Sequence, residues 1–397
     1  MKKWFIIWII FTFKSSLALN IVTDDSLKNK ALKVIFLESQ INIGSNHLPI
    51  SFYSKFINGG EIVKKDKGSL ENRNQINTSG FEFDNSYGIK FNRKDKMGWY
   101  VKYQHLSTGG AKYPQGLYNL IFDGNQSISE SIDLTQTAFH FRKHQIIHFG
   151  FLKNKLSLGL ALGNILNEYQ GSLGDGDYIS FQNPYIWEVS SNPNIFLLNN
   201  RTNRLFKNGN SIGLDFKYKG DILKNNSSYF GYIFEIQNLG IMYFHDEFSQ
   251  LNNDTSFTYS GLSIEEIINF ETTLDNLNNT ISPNYNLENI LQMSPFTLKG
   301  ELNLQLEKTK LSAGIFHRFN SNYIPKTFVG IDKQVNNKIN IGTNISYGGY
   351  NQLQLIGKLK INIKKSQIQL SLLNVPALIP SLGKSLGLNL QIQWQIN

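Results

Sequence analysis

Apolar and polar residues alternate along much of the chain, and the pattern is clearest in its last ten residues. From Leu388 to Asn397 the sequence reads LNLQIQWQIN, without a break in the alternation. Side chains of a β-strand point to opposite faces with a period of two, so such a strand has one apolar and one polar face. About ten residues is also the length of a tilted strand that crosses a bilayer. The segment therefore predicts a membrane-spanning strand that closes a barrel.

The same alternation recurs in earlier segments, and turn residues separate them. The clearest segments span residues 87–92, 212–219, 301–307, 339–347, 352–363 and 367–372. Because single-chain bacterial barrels have even strand numbers, the count predicts an all-β fold, a transmembrane antiparallel β-barrel of about 14 strands. No linker rich in Pro and Ser divides the chain, so we expect one barrel domain over residues 19–397.

Three stretches depart from the alternation and predict short helical inserts. A helix is expected near Ile50 to Phe56, and a second around Leu117, Leu120 and Ile121. Residues 262–293 also place apolar residues at helical spacing.

The N-terminus predicts export from the cytoplasm. Lys2 and Lys3 precede a ten-residue apolar region, and small residues follow at positions 16 and 18. This order is typical of a signal peptide, expected over residues 1–18, and the apolar region is too short to span a bilayer as a helix. Together with an aromatic content of 13%, it predicts a location in the outer membrane of a Gram-negative bacterium. A soluble exported β-protein that binds or adheres stays open as an alternative, because a β-sandwich has the same alternation.

Several segments resemble one family of barrels. Residues 56–62 (FINGGEI), 117–125 (LYNLIFDGN), 213–216 (GLDF), 236–240 (IQNLG) and 257–261 (FTYSG) are similar to an uncharacterised outer-membrane β-barrel family of Bacteroidota. The resemblance implies a barrel like the fatty-acid-transporter-like barrels, some of which serve the type IX secretion and gliding machinery. It implies no assigned activity.

No motif predicts an enzyme, a cofactor or a metal site. The chain has no Cys and none of the common nucleophile-elbow, P-loop or zinc-protease motifs. His140, His144 and His148 are spaced by four, and we interpret them as a hairpin that turns near residues 143–145, with polar side chains in the lumen. We interpret residues 174–177 (GDGD) as a solvated turn. The net charge of +9 favours anionic lipid head groups as partners over nucleic acid.

The polar face of the strands is the expected lining of the lumen. Its candidate residues are Lys90, Lys102, Asp215, Lys217, Glu301, Glu307, Lys358 and Lys360. One hypothesis is that Lys358 and Lys360, with Lys217, make part of the lumen basic. The alternative is a packed interior in which these charges pair and nothing passes.

The first hypothesis predicts a transporter or channel for small hydrophobic or anionic molecules. The packed interior predicts a non-conducting accessory barrel of a secretion or gliding complex.

Overall fold

The structure is a computed structural model. It describes residues 32–63, 66–67, 76–92, 97–123, 131–183, 186–191, 193–198, 208–224, 228–244, 248–252, 255–259, 290–381 and 383–396. The predicted signal peptide and most of the predicted helical insert at 262–293 lie outside these residues; its last four residues, 290–293, form a strand.

In chain order the elements are β1 (Leu32–Ser45), α1 (Ile50–Asn58), β2 (Ile76–Asn92), β3 (Gly98–Pro114), α2 (Gln115–Asp123), β4 (Ile132–Asp133), β5 (Ala138–Lys153), β6 (Leu156–Ser172), β7 (Tyr178–Asn183), β8 (Ile186–Ser191), β9 (Asn194–Leu198), β10 (Gly209–Lys224), β11 (Ser228–Phe244), β12 (Phe248–Asn252), β13 (Thr255–Tyr259), β14 (Ile290–Met293), β15 (Thr297–Leu306), β16 (Thr309–Arg318), β17 (Ile324–Gln334), β18 (Ile339–Gly349), β19 (Asn351–Ile363), β20 (Ser366–Leu372), a 3-10 helix (Val375–Leu378) and β21 (Ser385–Ile396). Both helices lie where the sequence predicts them.

Fourteen of these strands form a closed antiparallel barrel, which confirms the predicted fold. Its order is β1, β2, β3, β5, β6, β10, β11 and then β15 to β21. The last strand pairs back to the first, from Lys33 opposite Ile396 to Gly44 opposite Ser385. The C-terminal strand therefore closes the barrel, as its alternation predicts.

The barrel is apolar outside and polar inside. Each of the fourteen strands exposes at least one large apolar side chain on the outer face. One from each strand, in barrel order, gives Ile35, Tyr87, Trp99, Ile147, Leu162, Leu214, Ile241, Leu302, Ile315, Val329, Ile345, Leu355, Leu370 and Trp394. On β21 the residues between them, such as Asn389 and Gln391, are buried in the interior. A soluble β-sandwich has the reverse arrangement, so the outer face is built for an apolar surrounding.

The two ends of the barrel differ in their connections. At one end, here called the short-turn end, successive strands are joined by two to five residues, and both β1 and β21 have their chain-terminal ends there. At the other end, the long-loop end, lie the segments 46–75, 115–137, 173–208 and 245–296. These carry α1, α2 and a second sheet of β4, β7, β8 and β13. The described residues contain no helix that is long and apolar enough to span a membrane.

One seam of the wall is completed by side chains. Strand β20 has only 7 residues and pairs with the short-turn halves of β19 and β21. Above it, Asn351 of β19 donates a hydrogen bond from Nδ2 to Oγ of Ser385 on β21, at 2.7 Å. Asn374, in the connection that holds the 3-10 helix, donates to the Ser385 carbonyl at 3.0 Å. The connection therefore completes the wall where β20 ends.

Candidate functional site in the barrel lumen

The lumen is the candidate site, because the inward residues of the wall carry most of the charge buried in the fold. A barrel of eight strands is just wide enough for its own side chains to fill, whereas sixteen strands leave an aqueous channel. Fourteen strands lie between these cases. What occupies the lumen therefore depends on long side chains and on connections that fold inward.

The structure places seven of the eight predicted lining residues on inward positions of the wall. They are Lys90, Lys102, Asp215, Lys217, Glu301, Lys358 and Lys360. The predicted lumen position of Glu307 is wrong. It lies exposed in the turn between β15 and β16 with a φ of 40°, because the chain must reverse there and the alternation of β15 ends at Leu306.

Four of the inward lysines have carboxylate partners. The Lys217 ammonium lies 2.5 Å from Glu235, and Lys358 lies 3.5 Å from Asp332. Glu301 accepts from Lys299 at 2.6 Å and lies 3.5 Å from Lys310. Lys217 and Lys358, which were expected to make the lumen basic, are therefore paired, as the packed-interior alternative predicts.

An ion pair joins opposite walls of the barrel. Arg318 on β16 donates from Nη2 to Oε1 of Glu82 on β2. In the order of the fourteen strands, β2 and β16 are seven positions apart in either direction, so they lie on opposite sides of the barrel. Both side chains are buried. The ion pair therefore ties opposite sides of the wall together at this level.

The connection of residues 319–323 reaches across the lumen next to this pair. Asn322 donates from Nδ2 to the carbonyls of Gly110 and Ala138, each at 3.1 Å. The Asn320 carbonyl accepts from Nη1 of Arg142 on β5, and the same guanidinium pairs through Nε with Glu168. Side chains of one half of the barrel are thus tied to the backbone and side chains of the other half.

Tyr350, in the turn between β18 and β19, packs against β2 and β3. Its side chain is fully buried and lies against Gly80 and Gly110, where a Cβ atom at either glycine would collide with the ring. Its carbonyl accepts from Oγ1 of Thr78 at 3.0 Å. We call Glu82, Arg142, Arg318, Asn322 and Tyr350 the lumen closure.

A polar cavity of about 130 Å³ lies beside the lumen closure. Its lining includes the carboxylates of Glu82 and Asp84, the imidazole of His148 and the guanidinium of Arg318. Ile146, Leu106 and Phe316 add apolar surface. The cavity is large enough for several water molecules or a small polar solute.

The predicted hairpin at the histidines is wrong. Strand β5 continues without interruption from Ala138 to Lys153, and the extra residue of its register shift against β6 is Leu166 on β6. The chain turns at Asn154, which has a φ of 50°. Residues 143–145 contain none of the residue types that favour a turn, whereas Asn tolerates the left-handed conformation. The three histidines thus share one inward face.

Two of the three histidines have carboxylate partners that spacing in the sequence did not reveal. His144 Nε2 lies 3.1 Å from Glu168, and His148 Nδ1 lies 2.6 Å from Asp215. His148 Nε2 contacts Oε1 of Gln104 at 2.9 Å. Among the described residues no group of three metal-ligating side chains converges, and these imidazoles serve the polar network of the wall.

The segment 174–177 forms a turn of its own. Gly174 donates its backbone N–H to the Asp177 carboxylate at 2.7 Å, and Gly176 has a φ of 86°. Asp177 is buried, while Asp175 points into solvent.

Sequence reasoning did not find the lumen closure. Arg142 shares a face with His140, and both alternate with Phe139 and Phe141, so its inward position was open to prediction. Its partner Glu168 was not, because 26 residues separate them. Arg318 and Glu82 are 236 residues apart, and no local signal connects them.

The fold and this site define a class: a closed β-barrel with an apolar outer belt and a polar, bridged lumen. No protein-family model matches the chain, and no curated protein matches it. Solved barrels are similar over nearly the whole chain at very low identity.

The TodX monoaromatic hydrocarbon channel, as a mutant, is 9% identical, with 96% of each chain covered and a TM-score of 0.43. The toluene transporter TbuX of Ralstonia pickettii is 10% identical, covering 96% of this chain and 95% of its own, with a TM-score of 0.39. The translocator domain of the autotransporter NalP of Neisseria meningitidis is 8% identical, covering 94% and 90%, with a TM-score of 0.35. At these scores the likenesses carry no argument about the function of this chain.

Proposed function

We propose that the protein is an outer-membrane barrel that transports a small polar or anionic solute through a gated lumen. The observation that carries the proposal is the ion pair of Arg318 and Glu82, which bridges opposite walls beside a polar cavity of about 130 Å³. Among the described residues, the lumen closure consists of five side chains from three strands and two short connections. In this proposal the lumen opens by rearrangement of these side chains.

The apolar outer belt and the lengths of the connections support an orientation of the barrel in the outer membrane. In outer-membrane barrels the periplasmic turns are short and the extracellular loops are long. The short-turn end then faces the periplasm and the long-loop end faces the outside. The lumen closure lies at the level where the strands β16 and β18 end, on the extracellular side.

The composition of the lumen supports a polar solute over a hydrophobic one. The wall next to the cavity presents Glu82, Asp84, Gln104 and Arg318, and an apolar molecule on this path would displace water from charged groups without replacing their hydrogen bonds. Of the two solute classes expected from the sequence, this polar wall disfavours the hydrophobic one.

The membrane location is tested first. The protein should resist extraction by sodium carbonate and should migrate on a gel differently before and after boiling, as folded barrels often do. Release by carbonate, without detergent, would establish the soluble alternative.

Transport is then tested in planar bilayers. We expect brief or small currents from the wild-type protein and a larger conductance from Asn322→Ala and from Tyr350→Ala, because each substitution removes part of the lumen closure. The matched control is Leu355→Ala on the outer face, which should conduct like the wild type. The absence of current from the wild type and from both variants, when all are shown to be folded, would refute the transport proposal.

A second candidate function is supported by a different observation. At the long-loop end, α1 and α2 expose Phe56, Ile57 and Ile121, with more than half of each side chain in solvent. Such exposed apolar residues on adjoining loops fit a protein partner, as in an accessory barrel of a secretion or gliding complex. Co-purification of a stoichiometric partner from native membranes, lost in Phe56→Ser, together with a silent barrel in bilayers, would favour this function.

A further inference from the structure

Lys90 is an inward lysine near the end of β2 for which the structure provides no protein acceptor. Only 7% of the residue is exposed. Among the residues that the structure describes, none accepts a hydrogen bond from its ammonium or forms an ion pair with it, although four other inward lysines have such partners. A buried ammonium has three donors to satisfy, so its isolation requires an acceptor from elsewhere.

The charged groups that act on Lys90 have the same sign. They are Lys217 and Lys219 on β10, which is four positions from β2 around the barrel. All three lysines lie near the short-turn end, since Lys219 donates its backbone N–H to the Lys155 carbonyl in the turn between β5 and β6. We call Lys90, Lys217 and Lys219 the lysine cluster.

The nearby carboxylates are already engaged with other lysines. Glu235 binds Lys217 at 2.5 Å and also acts on Lys299. Glu301 is shared by Lys299 and Lys310. Glu235 also acts on Lys219, so two carboxylates serve four lysines, and neither forms an ion pair with Lys90. Because like charges in a low-dielectric lumen repel strongly, the region carries an excess of positive charge that a mobile anion would neutralise.

The neighbours of Lys90 in the wall give the site its shape. Lys90 is opposite Val34 on β1 and Tyr100 on β3. The Tyr100 hydroxyl donates to Asp215 at 3.4 Å, so the Asp215 carboxylate is held by Tyr100 and His148. In the wall, Lys90 is thus flanked by an apolar residue and by a tyrosine whose hydroxyl donates to Asp215.

We propose that the lysine cluster binds a small soluble oxyanion, of the phosphate or carboxylate class, inside the short-turn half of the lumen. An anion with several oxygens accepts from two or three ammonium groups at once, which a chloride ion does with weaker directionality. Because the lysines face the lumen and not the outer belt, the ligand is a soluble anion and not a lipid head group. The site rests on the proposed function and deepens it by placing a solute-recognition point on the transport path.

The test measures binding in detergent and therefore does not depend on transport. The folded, full-length barrel is titrated with inorganic phosphate at constant ionic strength in chloride, by calorimetry. Loss of one charge-assisted contact from Lys90→Met should weaken phosphate binding by about tenfold or more, and Lys217→Gln should do the same. Lys90→Arg should retain binding. Lys333→Met is the control, because Lys333 lies near the same end of the barrel but is exposed on the outer face.

Two results would overturn the inference. One is a wild-type barrel that binds phosphate no better than chloride, and the other is a folded Lys90→Met variant that binds phosphate like the wild type. A gel shift on boiling verifies folding of each variant. Phosphate binding by a barrel that never conducts would retain the site and refute transport. A conducting barrel that does not bind phosphate would retain transport and refute the site.

Discussion

Removing one partner of the ion pair that crosses the lumen should destabilise the barrel strongly. The Arg318 side chain is 6% exposed and that of Glu82 is 5% exposed, so solvent screens the pair little. Removing either charge leaves the other buried and uncompensated, which costs about 3–5 kcal/mol. We therefore expect Arg318→Met and Glu82→Gln each to lower the free energy of unfolding by about that amount.

The double variant separates the pair from its surroundings. When both charges are removed, no buried charge is left alone, so Arg318→Met/Glu82→Gln should be more stable than the sum of the two single effects by about 2–3 kcal/mol. Equilibrium unfolding in urea, with the barrel in phosphocholine vesicles, is followed by tryptophan fluorescence. The folded fraction is checked by the gel shift on boiling.

A coupling energy below about 0.5 kcal/mol would refute this reasoning, since additive effects are what independent sites give. It would mean that Arg318 and Glu82 are each satisfied by water or by other groups, and that the walls are not tied across the lumen. A control pair on the surface is Lys155 and Asp221, which are 2.6 Å apart but well exposed. Exposed pairs contribute about 0–1 kcal/mol, so this cycle should show little coupling.

Other contacts in the barrel lead to three further predictions. Lys358→Glu places a second negative charge near Asp332, whose carboxylate lies 3.5 Å from the Lys358 ammonium. The variant should shift the reversal potential toward cation selectivity, and unchanged selectivity would contradict this expectation. Gly110→Ala should lower the free energy of unfolding by about 1–3 kcal/mol, because the new Cβ would lie 2.6 Å from the His140 ring and 2.7 Å from the Tyr350 ring. Gly300→Ala is the control, because its Cβ meets no atom closer than 3.5 Å and the variant should be nearly neutral. The hydrogen bond from Lys55 lowers the pKa of Asp66. This contact therefore stabilises α1 fully at a pH above the pKa that Asp66 has in the unfolded chain, and the stabilisation is lost as the pH falls through the lowered pKa. Protease cleavage at α1 should accelerate at low pH in the wild type and be independent of pH in Asp66→Asn.

Local patterns predicted the parts of the fold that depend on neighbours in the sequence. Alternation located β21 and assigned Trp394 and Ile396 to the outer face, and a break in alternation located α1 and α2. The same reasoning was wrong at residues 143–145, where polar residues on both faces of β5 were interpreted as a turn. The strand continues there because it pairs with β3 on one side and β6 on the other, and the sequence of β5 does not contain those partners.

The sequence by itself determined that the chain forms amphipathic strands, about how many there are, and which face of each is apolar, because these properties depend on a period of two along one strand. Only the tertiary structure decided what fills the lumen. Arg318 meets Glu82, and Lys90 is left without an acceptor among the described residues, because closure of the barrel sets which inward residues face each other. Arg318 and Glu82 lie seven strands apart around the barrel, and no period along the sequence extends over that distance.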